Sequence, residues 1–153
     1  MGNNPNHRKL ISEYRVKYKI KIVALTHIDE YIPSDEGYAD YTPYNVGPKE
    51  FLYLIKNARV VMTDSFHATV FSLIFQKSFY TFNRFENSSN SSTTSRIDSL
   101  LNKVGLIDRK IMNNATINEL LEKKEIDYKT VCCKMDVFRN ESIEYLKSSL
   151  RNE

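Results

Sequence analysis

Apolar positions along the chain change their spacing several times, and each change marks an element. Residues 1–7 are polar and predict a tail. Arg8 to Lys17 is polar-rich, with Leu10, Ile11, Tyr14 and Tyr18 near one helical face, which predicts a short helix. Lys19 to Thr26 alternates at first, then runs apolar through Val23-Ala24-Leu25, the pattern of a strand that becomes buried toward its C-terminal end. From His27 to Gly47 no period is visible. This stretch holds Pro33, Gly37 and Pro43 and is longer than an ordinary connection in a small domain, a size that often carries function. Pro48 then opens a helical pattern that runs to Asn57. Ala58 to Thr63 reads as a short buried strand, followed at once by the capping residues Thr63-Asp64-Ser65. Phe66 to Phe75 is apolar nearly all round and predicts a well-buried helix. Ser78 to Phe82 is the next strand.

The second half is more polar. Asn83 to Ser95 is rich in Asn, Ser and Thr and reads as a mobile loop. Arg96 to Val104 is amphipathic, with Gly105 placed to end that helix. Thr116 with Glu119 three positions later is a capping-box pattern for a helix running to about Lys124. Tyr128 to Val137 and Glu141 to Leu150 predict one or two further helices. In the last of these Ile143, Leu146 and Leu150 form a stripe expected to pack on its own domain. Strands alternating with helices imply β-α-β units and a parallel sheet flanked by helices, an α/β domain.

Composition narrows the class without naming a function. The chain has 153 residues, 41% of them apolar and 27% charged, which suits one domain with a real core. A net charge of +3 without clustering gives no footprint for nucleic acid. No apolar run approaches the roughly 20 residues of a membrane span, and the first residues lack the apolar core of a signal peptide. Cys132 and Cys133 are adjacent, a spacing suited neither to a mutual disulfide nor to zinc. A reduced, intracellular protein without a metal site is the expectation.

One constellation carries chemistry. The strand ending at Thr63 leads through Asp64-Ser65-Phe66-His67 into an apolar helix, and ligands of open parallel sheets sit at such strand ends. His67 falls in the first helical turn, beside backbone N–H groups and a dipole that attract phosphate or carboxylate. The dipole disfavours an imidazolium there and a bound dianion favours it, so the ring is placed to donate a proton when an anionic substrate arrives. The plain alternative is that Thr63, Asp64 and Ser65 only cap the helix and His67 bonds a neighbouring loop. No GxGxxG, Walker or serine-elbow motif is present. In the loop before Pro48, Tyr31, Tyr38, Tyr41 and Tyr44 read as loop packing or as a surface for a sugar ring. Asp29, Glu30, Asp35, Glu36 and Asp40 read as a solvated acidic face.

The run from Val46 to Phe75, centred on Thr63-Asp64-Ser65-Phe66-His67, resembles the C-terminal domain of the polysaccharide pyruvyl transferases. Arg96-Ile97-Asp98-Ser99-Leu100-Leu101 with Val104-Gly105-Leu106 is similar to that family's arginine-containing helix and Gly-Leu turn. Ile126-Asp127-Tyr128 and Ser142 to Lys147 are similar to its closing helices. The resemblance spans about residues 19–150, after a tail and short helix over 1–18. It implies a three-layer Rossmann-like domain with a parallel sheet, like the C-terminal half of a GT-B fold, with the acceptor-binding N-terminal domain absent.

The activity implied is transfer of pyruvate from phosphoenolpyruvate, as donor substrate and not cofactor, to a sugar or lipid-linked oligosaccharide of a bacterial surface polysaccharide. It would take place in the cytoplasm or at the inner face of the membrane. Half a cleft is expected to be inactive alone, completed by the missing domain, a partner chain or a second copy. His67 maps onto the histidine that protonates the donor, with Asp64, Ser65 and Phe66 around the anion. Some members carry arginine where this chain has Ser65. Arg96 and Arg84 are the candidates for that missing contact, each weighed against an ordinary structural or solvated arginine. Two rivals stand beside this reading: a GT-B glycosyltransferase domain binding a nucleotide-sugar, and a degenerate module that binds neither ligand.

Overall fold

The computed structural model describes residues 4–25, 32–83 and 92–151. Helix α1 runs Pro5–Tyr18, so residues 5–7 of the expected tail are helical, while residues 1–3 lie outside the described residues; the Asn4 side chain accepts from the Asn6 N–H, and Pro5 sits at a position that needs no N–H donor. The expected tail had been read from polarity alone. His7 and Arg8 are nevertheless buried, His7 stacked 4.5 Å from Phe82 and bonded to Asn113, and Arg8 ion-paired to Asp35.

The segment after α1 is extended, but it is not a full strand. It makes a single parallel bridge, Val23 to Tyr41. Helix α2 (Pro48–Asn57) leads into strand β1 (Val60–Thr63), helix α3 (Phe66–Ile74) and strand β2 (Ser78–Phe82). β1 starts two residues later than its sequence pattern suggests and is only half-buried apart from Thr63. α3 buries Ala68, Thr69, Ser72 and Leu73 and exposes Ile74, so it has one buried face and not burial all round.

Helix α4 (Ser92–Val104) begins four residues before Arg96, inside the expected Ser/Thr-rich loop. It ends at Gly105, whose φ of 74° allows the Leu106 N–H to reach Leu101 O and the Gly105 N–H to reach Asn102 O. A two-residue strand β3 (Lys110–Ile111) has no period in the sequence to announce it. Helix α5 is shorter than expected, Ile117–Leu121. Its capping box is present, with the Thr116 N–H donating to Glu119 Oε1 at 3.1 Å. The two expected closing segments are one helix, α6 (Tyr128–Arg151), started by the Asp127 carboxylate, which accepts from Lys129 and Thr130.

The sheet is parallel in the order β1-β2-β3. Alternation along β2 sends Phe79 into one apolar cluster with Leu73 of α3, Leu101 of α4 and Val131 of α6. Tyr80 and Phe82 enter the other, with Leu10 and Ile11 of α1 and Leu120 of α5. Helices therefore cover both faces of the sheet, as an α/β fold requires. The stripe on α6 does not pack on the domain: Ile143, Leu146 and Leu150 are exposed, Leu150 by 74%. The helix simply outruns the surface it lies on. No described helix is long and apolar enough to cross a membrane.

Candidate functional site

The turn from β1 to α3 is built by hydroxyls. Thr63 Oγ1 accepts from the Ser65 N–H at 3.0 Å, and Ser65 Oγ accepts from the Ala68 N–H at 3.4 Å. Thr69 Oγ1 donates back to Ser65 O at 2.9 Å and lies 3.1 Å from Thr81 Oγ1 on β2. Thr69 and Thr81 are fully buried, so this pair fixes the turn to the central strand. The sequence carried a faint signal of it, Ser65 and Thr69 at i and i+4. Thr81, on another element, carried none.

Capping therefore falls to Thr63 and Ser65, while Asp64 between them is only 3% exposed. Because the Ser65 and Ala68 amides are taken by hydroxyls and the Thr69 amide by Ser65 O, the amides of Phe66 and His67 are those left open in the first turn among the described residues. No acidic side chain occupies that turn. Its partial positive charge is uncompensated from within the helix.

His67 is exposed, on the outside of this turn. Its ring meets that of Phe66 edge to face, with centroids 6.0 Å apart. The Arg96 guanidinium, from the second turn of α4, lies over the same Phe66 ring at 5.2 Å. One half-buried phenyl ring thus has an imidazole at its edge and a guanidinium on its face, and both polar groups reach solvent beside the open end of α3. Arg84 lies outside the described residues.

The loop residues separate into two groups. Tyr38 is half-buried under the Arg8 guanidinium, 5.0 Å from it, and burial pushes its phenol up to about 12. Tyr41 and Tyr44 are exposed, and Tyr31 lies outside the described residues. The carboxylates do not form one solvated face, since Asp35 pairs with Arg8 and Asp40 with Arg15 at 2.6 Å. Asp40 also takes the Ile22 N–H at 2.8 Å. These two tie the loop to α1. Asp29 and Glu30 lie outside the described residues, and no group of three metal-ligating side chains occurs among those described. A cavity of about 670 Å³ runs along the free edge of β1 and ends at Thr63, Asp64 and Ser65.

Searches of curated proteins and of solved structures return no match to the chain. The model of the polysaccharide pyruvyl transferase family matches residues 4–86, more than half the chain. That segment runs from α1 through β2 and contains the Thr63–His67 turn, while Arg96 and the elements after it lie beyond. On this match the chain belongs to the polysaccharide pyruvyl transferase family.

Proposed function

We propose that this domain holds the donor side of a pyruvyl transfer from phosphoenolpyruvate to a sugar of a surface polysaccharide. The observation that carries the reading is the exposed His67 beside the open amides of Phe66 and His67, with Arg96 across the same phenyl ring. A dianion needs N–H donors and positive charge, and a helix N-terminus with a nearby guanidinium supplies both. His67 then has two uses. As imidazolium it pairs with the bound anion, and as general acid it delivers a proton to the methylene carbon of the enol. The neighbouring carbon, which bears the phosphate, gains positive charge and is attacked by a sugar hydroxyl. Attack by a second hydroxyl with departure of phosphate closes the ketal. Ser65, in place of an arginine, shapes the turn through its cap, and Arg96 from α4 supplies the cation.

The test is thermal unfolding of the chain with millimolar phosphoenolpyruvate, for wild type, His67→Ala and Arg96→Ala. Ligand at about 100 times its dissociation constant stabilises by about 2.7 kcal/mol, a shift of several degrees in Tm. The expected outcome is a shift in wild type that both variants lose. Because the His67 side chain is exposed, its loss should change the ligand-free Tm by less than the equivalent of about 0.5 kcal/mol. Arg96→Ala also gives up the contact with the Phe66 ring, about 0.5–1 kcal/mol, so each variant is compared with its own ligand-free Tm. A shift with a nucleoside diphosphate and none with phosphoenolpyruvate would overturn the reading in favour of a nucleotide-sugar site.

A further inference from the structure

β3 is two residues long, and its first residue is a lysine on a covered face of the sheet. Ile111 enters the apolar cluster with α1 and α5. Successive side chains of an extended chain point to opposite faces, so Lys110 points to the other one, under α4. Its side chain is only 16% exposed, and an ammonium so placed needs a partner. Asp98 of α4 supplies it, with Lys110 Nζ donating to Asp98 Oδ1 at 2.6 Å.

Asp98 lies two residues beyond Arg96, and Ile97 between them is buried with Leu73, Phe79 and Leu101. Successive residues of a helix are about 100° apart around its axis. Asp98 and Arg96 therefore stand on opposite flanks of the buried Ile97. One flank is tied to the sheet through Lys110, and the other holds its guanidinium 5.2 Å over the Phe66 ring at the start of α3. Apolar packing is non-directional, so Ile97 and Leu101 fix the roll of α4 less tightly than an ion pair on its flank does. A roll that lifted Asp98 from Lys110 would carry Arg96 across Phe66. The β1–α3 turn is referenced to the same place. Thr81, which holds Thr69 and through it Ser65, is the residue of β2 that pairs with Lys110 in the sheet.

We infer that Lys110 is a positioning residue for the donor site: through Asp98 it holds α4 at the roll that puts Arg96 over Phe66, beside the open end of α3. This rests on the reading of Arg96 as the cation that meets the donor anion. Lys110 itself acts only through the helix.

Two measurements test it, and only the second needs phosphoenolpyruvate. In the ligand-free chain, NMR reads the Arg96 side-chain protons, which the Phe66 ring displaces upfield, with Phe66→Leu giving the undisplaced position. Lys110→Met and Asp98→Asn should each move these resonances toward that position, and Lys110→Arg, which keeps the charge, should leave them in place. Resonances unchanged in both charge-removing variants would overturn the inference even if phosphoenolpyruvate binds. Calorimetry then reads the Kd for phosphoenolpyruvate. Either charge-removing variant should weaken binding about tenfold, the double variant no further, and Lys110→Arg should bind as wild type does. A lowered Tm with an unchanged Kd would make Lys110 merely structural and overturn its role. Asp98, the more exposed partner, keeps the test open should Lys110→Met fail to fold. A wild-type chain that does not bind phosphoenolpyruvate would overturn the site and Lys110's role in it, while the resonances still decide whether Lys110 places Arg96.

Discussion

β1 and β2 are neighbours in one parallel sheet, four and five residues long, and they do opposite work. β2 is paired on both edges, and its Phe79, Tyr80, Thr81 and Phe82 are all buried. β1 is paired on one edge, half-buried along most of its length, and ends in the turn that carries His67. The central strand is committed to both apolar clusters and has no freedom left. Among the described residues, the end strand keeps unpaired backbone, an adjacent cavity and a helix terminus with open amides. Stability concentrates where every group is satisfied, and the proposed chemistry is placed where some are not.

The sharpest way to break this contrast is to empty the central strand. Phe79→Ala removes a fully buried ring from the cluster of α3, α4 and α6 and should cost about 3–5 kcal/mol, roughly 10 °C in Tm. A loss below about 1 kcal/mol, measured by urea unfolding, would mean that β2 is not the structural centre described here. A smaller effect is expected at the link between the strands. Thr69→Val keeps the shape but leaves the buried Thr81 hydroxyl without its partner, at about 1–3 kcal/mol, and the double variant Thr69→Val/Thr81→Val should recover most of that. Additive losses in the double variant would show that the hydroxyl pair does not couple the turn to β2.

The gentlest probe is pH. Tyr80 on β2 is raised above its usual 10, mainly by burial, and Tyr14 and Tyr38 are raised to about 12 for the same leading reason. Above pH 10 the unfolded chain releases these phenolic protons while the folded chain keeps them. Stability must then fall as pH rises from about 10 to 12, flattening once the folded phenols ionise. Urea midpoints at pH 9 and pH 11 check this. Equal midpoints would show that the three phenols are not held by the fold.

Much of this division could be read from the residues. β2, α2 and the cap before α3 were legible because period, proline position and hydroxyl placement are local properties. So was His67 in the first turn. The pairing of His67 with Arg96 through Phe66 was not, because it joins two elements whose spacing in sequence says nothing about their contact. The start of the chain misled for a related reason: His7 reads as the end of a polar tail and Arg8 as the polar start of a helix, and only Phe82, Asn113 and Asp35 make them interior. β3 escaped because two residues have no period. The segment from Ile20 to Leu25 has a strand's pattern but, among the described residues, bridges only to Tyr41, and pattern alone does not report whether a neighbour is present.

α6 sets a length scale on the molecule. It leaves the domain surface near Phe138 and continues unbroken to Arg151, which at 1.5 Å per residue is roughly 20 Å of free-standing rod. Cys133 lies exposed on the same helix, so a dye on that thiol and another at position 151 would be separated by about 27 Å along one axis. With Cys132 replaced by serine, that pair forms a built-in ruler. Its reading would stay constant while the helix is intact and would lengthen as the rod unwinds.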